Sequence, residues 1–323
     1  MCNFGDYLLR FMHPFLKYQG DYEVVFVDDG SDDDSLKRCE RLKKRFPAIQ
    51  IVRQEKKGVL AARLRGLEES TGDYVWFAQP EDFVDERAFP VLDRVLEEND
   101  PDVILFPTDD YKNGRYVPKS ELFLNESRFL ENYEVKDFLE KMILHQYSNS
   151  ICTKIFSRRV LKEKVCAEPV TIGEGFLQSL PYLNDAKNFY FCSQVLYHHR
   201  HGLESEKMNL AWFDSIRVVD EEMEQYAKMW AEKWKIDPGC VSIRFMRDAW
   251  LMIRKLAASD IPLEGEDVRL FLEGMSVTTS FAEKYPADLS GLSKFFFYHL
   301  FLGHVGVCTW ILQRMRKKRQ RRK

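Results

Sequence analysis

Two acidic clusters stand where short apolar runs stop. "YEVVFV" (22–27) leads into Asp28, Asp29, Gly30 and Ser31, and "DYVWFA" (73–78) leads into Gln79, Pro80, Glu81 and Asp82. Carboxylates delivered at a strand end can ligate a hard divalent cation through oxygen or accept hydrogen bonds from N–H and hydroxyl donors. Each cluster also has a plainer reading. Ser31 and the aspartates after it can cap the helix that follows, and Glu81-Asp82 can be an acidic loop capping a helix that starts near Asp85. Capping accounts for Ser31 but not for two consecutive carboxylates after a buried strand, so binding is preferred at Asp28-Asp29. At Glu81-Asp82 metal ligation and capping stay balanced. A third group, "YHHRH" (197–201), closes an aromatic stretch. Arg200 there suits bidentate pairing with a phosphate. No cysteine or carboxylate spacing supports a metal at these histidines, and an ordinary strand exit is the simpler reading.

These residues need a frame that brings them together. Apolar runs of strand length at 22–27, 49–53, 73–78 and 102–107 alternate with helical stretches reaching Arg45, at "GVLAARLRGLEES" and at 86–98. Such alternation predicts an α/β fold with a mostly parallel sheet covered by helices on both faces. Ligands of such sheets bind beyond the carboxyl ends of the strands, so Asp28, Asp29, Glu81 and Asp82 are expected to share one crevice. A helix over 7–18 should be kinked or ended by Pro14. "YKNGRY" (111–116) reads as a hairpin with an Asn-Gly turn. Helices are expected at 134–144 and 157–164, and strand at 188–200. From about residue 206 long amphipathic helices take over, for example 211–233 and 240–258. A domain boundary is therefore placed near residue 205, dividing 1–205 from a helical region 206–323.

Composition narrows the class. The 323 residues are 45% hydrophobic and 31% charged, enough for a sizeable core. The net charge of −3 is uneven: eight basic and no acidic residues between Arg314 and Lys323 leave residues 1–313 at −11. Just before this basic tail, 295–312 carries no Asp, Glu, Lys or Arg. Apolar helix plus polybasic flank supplies two anchoring signals, and an interfacial helix on a membrane is preferred over a buried core helix with a solvated tail. A nucleic-acid arm fits the apolar lead-in less well, and no nucleic-acid partner is expected. Seven scattered cysteines without a CxxC pair argue against a disulfide framework or zinc knuckle and for a reducing cytoplasm. No basic-then-apolar signal pattern opens the chain.

"YEVVFVDDGSDDDS", "GVLAARLRGL", "TGDYVWFAQPEDFVD", "CTKIFSRRVL" and "GEGFLQSLPYLNDAKNFYFCSQVLYHHR", in this order over about residues 2–201, resemble a family 2 glycosyltransferase of the GT-A, Rossmann-like fold. The resemblance implies transfer of a sugar from a nucleotide-diphosphate sugar to an acceptor hydroxyl, usually with inversion, with a lipid-linked or saccharide acceptor in cell-surface polysaccharide or glycolipid synthesis. It implies that Asp28, Asp29 and Arg63 hold the nucleotide, that Gln79 contacts the ribose, and that Glu81 and Asp82 hold Mg²⁺ or Mn²⁺ at the diphosphate, with Arg200 beside it.

Three departures stand out. Gln79-Pro80-Glu81-Asp82 replaces a pattern near "DSDD", and Leu64 replaces an asparagine. At the family's general-base position stands Gly175, leaving Glu174 as the local base candidate unless Asp109, Asp110 or a histidine substitutes. The first central strand of the fold is missing ahead of Asn3. Either the chain begins at an internal methionine or the gene is decaying, and the intact apolar pattern of 22–107 favours the first. The alternative function is a catalytically impaired homologue that binds nucleotide or serves as a scaffold. The expected place of work is the cytoplasmic face of the cell membrane.

Overall fold

The computed structural model describes residues 3–118, 123–162, 170–200, 209–210, 212–279 and 291–321. Cys2, Cys166, His201, Arg322 and Lys323, which entered the reading above, lie outside the described residues. The chain divides into two compact units. The first comprises Met1–Ala167, Glu174–Leu203 and Glu232–Ile236, and the second Glu168–Gly173, Glu204–Ala231 and Asp237–Lys323.

The first unit alternates as the hydrophobic pattern dictates. It runs α1 (Leu8–Lys17), β1 (Val24–Asp29), α2 (Ser35–Arg45), β2 (Ile49–Gln54), α3 (Val59–Glu69), β3 (Tyr74–Trp76), β4 (Phe83–Val84), α4 (Ala88–Glu98) and β5 (Val103–Leu105). Pro14 sits inside α1 rather than ending it. Next come β6 (Thr108–Lys112), β7 (Arg115–Pro118), β8 (Arg128–Phe129), α5 (Asn132–Ile143), β9 (Lys154–Ser157), α6 (Glu174–Asp185), β10 (Phe189–Phe191) and β11 (Tyr197–Arg200). β6 and β7 form the expected hairpin, with Asn113 at φ 51° and Gly114 at φ 80°. Two successive positive φ values are what a two-residue type I′ turn requires.

The strands form three sheets. β1 pairs with β2 in parallel, from Val24 opposite Ile49 to Asp29 opposite Gln54. A five-stranded sheet has the order β3-β9-β5-β10-β8, and a four-stranded one β4-β11-β6-β7. Pairing is more mixed than alternation alone implies, because β9 lies antiparallel between β3 and β5. That strand ends where a helix is expected over 157–164: 158–160 form a single 3₁₀ turn, and 163–164 lie outside the described residues. "KIFS" is too short for a periodicity to show.

The second unit is helical. It holds most of α7 (Trp212–Lys233), then α8 (Gly239–Ala258), α9 (Glu266–Thr279), α10 (Gly291–Phe301) and α11 (Val305–Gln320). The uncharged stretch 295–312 is not one helix. Gly303, at φ 71°, turns the chain between α10 and α11. Phe296, Phe297, Leu300, Cys308, Ile311 and Leu312 enter the core of this unit. Phe295, Tyr298, Phe301, Leu302 and Trp310 are exposed. The segment is thus divided between the core of this unit and its surface. Among the described residues no helix is long and apolar enough to cross a membrane.

Candidate active site

Asp28 and Asp29 end β1 in buried positions. Their roles differ. Asp29 is saturated by protein: Oδ1 accepts from Gln54 Nε2 at 2.7 Å and Lys57 N–H at 2.8 Å, and Oδ2 from Gly58 N–H at 3.0 Å. It therefore clamps the loop that opens α3. Asp28 accepts a longer bond, 3.3 Å, from Ser31 N–H. Gly30 between them and the next turn has φ 76°, and a Cβ there would stand 3.2 Å from Lys56 N.

The loop after β3 is tied to β11. Asp82 is 3% exposed. Its Oδ1 accepts from Arg200 N–H at 2.8 Å, while Oδ2 accepts from Tyr197 O–H at 2.9 Å and faces His199 Nδ1 at 3.1 Å. Tyr197 O–H also takes the Gln79 N–H at 2.9 Å. Arg200 closes the other side: its Nε donates to Glu81 O at 2.6 Å, and its guanidinium lies between the rings of Tyr7 and Phe83, 4.5 and 4.3 Å from their centroids. The two carboxylates named as metal ligands are thus placed unlike one another. Asp82 is a fastener with both oxygens engaged. Glu81 is half-buried, and its Oε2 is buried without a protein partner. Burial pushes its carboxyl up to about 7, Asp82 adds to the rise, and its own backbone N–H and Arg63 pull back.

Arg63, Gln79 and Glu81 line one cavity of about 700 Å³. Asp28, Asp29 and Asp82 do not line it, so of the four carboxylates expected to share one crevice only Glu81 borders this cavity. Arg63 leaves Nη1 buried without a protein partner. Gly175, the second residue of α6, explains its position. A Cβ built there would stand 3.2 Å from Arg63 Nη1 and 3.1 Å from Ile151 Cγ2. A side chain at 175 would press on the guanidinium where it now lies. Glu174 begins α6 directly ahead of that glycine. A buried cationic nitrogen and a buried carboxylate oxygen on one cavity suit an anion with polar hydroxyls or a bridging hard cation. Among the described residues no group of three or more His, Cys, Asp or Glu side chains is disposed to hold a metal ion by itself. A cation here would draw on Glu81 Oε2 and on ligands from outside the protein.

Several organising residues escaped the sequence reading. Tyr197 is fully buried and joins Gln79 to Asp82; its alternation within the aromatic strand was the available signal. His198 has Asp109 at Nδ1 and Asp85 at Nε2, the latter at 3.3 Å. Each ring nitrogen of His198 thus faces a carboxylate. Asp109 is therefore engaged with His198. Lys154 is fully buried, with Nζ donating to Ser148 O at 3.1 Å and Ser150 O at 2.8 Å, and burial pushes its amine down to about 7. A lysine inside an otherwise apolar strand was visible in "CTKIF".

Comparisons with known proteins follow the same pattern. The profile of Glycosyl transferase family 2 matches residues 1–165. Glycosyltransferase GlyG of Streptococcus pneumoniae is 32% identical over 106 residues, 32% of this chain and 35% of that protein. Minor teichoic acid biosynthesis protein GgaB of Bacillus subtilis is 24% identical over 293 residues, 86% of this chain and 31% of that protein. The chain spans about a third of the length of these curated relatives. The crystal structure of S. aureus TarS 1–349 in complex with UDP-GlcNAc superposes with a TM-score of 0.67 at 15% identity, covering 98% of this chain and 90% of that one. That likeness is one of fold: a mixed α/β GT-A architecture followed by helices.

Proposed function

Since the chain belongs to glycosyl transferase family 2, we propose that it moves a sugar from a nucleotide-diphosphate sugar to a hydroxyl of a cell-surface polymer or its lipid-linked precursor. The observation that carries this reading is the pairing of two unpartnered buried groups, Arg63 Nη1 and Glu81 Oε2, on one cavity with Gln79. A teichoic-acid type of acceptor and a UDP-linked donor are supported by what GgaB and TarS are named for and bound to.

The chemistry is a single in-line displacement with inversion. The acceptor oxygen bonds to the anomeric carbon as the bond to the diphosphate oxygen breaks. The diphosphate leaves with the electron pair, and the acceptor proton passes to a carboxylate. Asp28 and Arg63 bind the nucleotide, Asp29 holds the loop that presents Arg63's helix, and Gln79 contacts the ribose. Glu81 would hold Mg²⁺ or Mn²⁺, which when bound neutralises charge on the leaving diphosphate. Asp82 fixes the loop that carries Glu81, and Arg200 holds that loop while offering charge to the diphosphate. Glu174 is the local candidate to accept the proton. A panel of nucleotide sugars, assayed for nucleoside-diphosphate release with Mg²⁺ or Mn²⁺, tests this. Turnover lost in Arg63→Ala and Glu174→Ala supports it.

One observation favours a second reading. The space where a side chain at 175 would begin lies against Arg63. A chain without a carboxylate there fits an impaired homologue that binds nucleotide as a scaffold. Nucleotide binding without release of diphosphate from any donor would select that reading.

The protein's place of work in this proposal is the cytoplasmic face of the cell membrane, reached peripherally. The exposed Phe295, Tyr298, Phe301 and Trp310 beside a basic helix end support it. No nucleic-acid partner is invoked.

A further inference from the structure

We propose that the turn joining α10 to α11 is a surface site for a divalent late transition metal, Cu²⁺, Ni²⁺ or Zn²⁺. His299 and His304 hold the ion, and water completes its coordination. Both residues belong to the helical unit and take no part in the transfer reaction proposed above.

The Nδ1 atoms of the two rings stand 3.0 Å apart. Two ring nitrogens at that separation hold one proton between them, so at least one presents a lone pair. A cation that takes the place of the shared proton binds both nitrogens. With Zn–N bonds of about 2.0–2.1 Å, tetrahedral coordination separates neighbouring nitrogens by about 3.3–3.4 Å. Adjacent ligands of a tetragonal Cu²⁺ or Ni²⁺, at right angles and similar bond lengths, lie about 2.9 Å apart. The observed spacing falls between these values, nearer the tetragonal one, so little ring movement is needed. Imidazole suits all three ions, whereas Mg²⁺ and Ca²⁺ take oxygen ligands.

The backbone holds the pair in place. On an unbroken helix, residues five apart point about 140° away from one another. The rings meet because Gly303, at φ 71°, breaks the helix. His304 N–H then donates back to His299 O at 2.9 Å, and Gly303 N–H to Leu300 O at 2.9 Å. His304 O in turn accepts from Val307 and Cys308 N–H at 3.0 and 3.2 Å, which fixes the start of α11. Phe296, Phe297, Leu300 and Cys308 anchor both helices in the core of the unit. The His299 ring is braced edge-on by Phe295, at 4.4 Å between centroids, and by Tyr298 at 5.5 Å. A pair prepared before the ion arrives loses less affinity to ordering. His299 is half-buried and His304 exposed, so water reaches the positions that two protein ligands leave open.

Isothermal titration of the untagged 323-residue chain, freed of metal by EDTA and then desalted, with Cu²⁺ or Ni²⁺ tests this. One ion per chain is expected. Two ligands on one turn act at high effective concentration, so His299→Ala or His304→Ala alone is expected to weaken binding by about a hundredfold. The double variant is expected to bind no more weakly than either single one. His13→Ala and His145→Ala, at other exposed histidines, are expected to leave the affinity unchanged. Ni²⁺ should also raise the urea midpoint of the unaltered chain and not that of either variant at 299 or 304. A chain that takes up no ion, uptake that survives both substitutions, or losses that add as for two separate sites would each overturn the proposal.

Discussion

Gly175 is the position at which one side chain would most change the chemistry. A Cβ there meets the far end of Arg63, which is flexible, and Ile151 Cγ2 at 3.1 Å, which must give slightly. An aspartate would place its carboxylate beside the guanidinium and within the same cavity wall as Arg63. Gly175→Asp is expected to raise diphosphate release by about tenfold or more, inside the range a positioned general base contributes. Gly175→Ala, with the same Cβ and no carboxyl, is expected to give no increase. Equal rates for both variants at equal nucleotide affinity would show that proton acceptance does not limit the reaction.

Lys154 makes a second prediction at this scale. Its folded pKa, pushed by burial to about 7, lies below the ordinary lysine value of about 10.4. The unfolded chain therefore binds more protons than the native one between these values, and stability rises as pH rises through that window. Its Nζ faces the Ser148 and Ser150 carbonyls and, at 3.5 Å, Thr153 Oγ1. Relative to Lys154→Met, the unaltered protein should gain about 2 kcal/mol between pH 7 and pH 9. Urea unfolding of both proteins at the two pH values measures this, and a pH-independent difference would refute a neutral buried amine.

At the scale of elements, Asp29 shows how a candidate binding residue also fixes local structure. Its three accepted bonds fix the 54–58 loop and the start of α3, the helix that carries Arg63. Asp29→Ala should destabilise the protein by about 2–3 kcal/mol, since the lost bonds are charge-assisted and buried. A lowered urea midpoint with unchanged slope would register it, and a midpoint equal to that of the unaltered protein would rule the clamp out. The strand ends that carry Asp28 and Glu81 were legible because apolar runs stop abruptly at polar turns. β9 was not, because four residues carry no periodicity and its partners, β3 and β5, lie far away in sequence. The division of labour between Glu81 and Asp82 was hidden for a similar reason. It depends on Tyr197, His199 and Arg200 reaching back from β11, more than a hundred residues later. The approach of Arg63 to Gly175 is likewise a tertiary fact, although the missing carboxylate itself could be read from "GEG".

For the whole molecule, charge and apolar exposure are distributed together. Residues 1–313 carry −11 and the last ten carry +8. On the helical unit, Phe295, Tyr298 and Phe301 are exposed on α10, Leu302 just past its end, and Trp310 on α11. The first part of the tail is docked rather than free: Arg316 Nη2 donates to Leu256 O at 3.1 Å and Ile261 O at 2.9 Å. Lys317, Lys318 and Arg319 are exposed beyond it. Aromatic side chains at an interface and cations over anionic headgroups act in concert, each basic residue contributing about 1 kcal/mol near the surface. The full chain should therefore co-sediment with vesicles containing phosphatidylserine and not with phosphatidylcholine alone. Replacing Lys317, Lys318 and Arg319 together by alanine should weaken binding by about a hundredfold, and raising salt should act in the same direction. Phe295→Ser with Phe301→Ser should weaken binding to the anionic vesicles without changing its salt dependence, because the charges remain. Binding that survives both sets of substitutions would place the contact elsewhere, and self-association relieved by the phenylalanine changes would assign this face to a second copy of the chain.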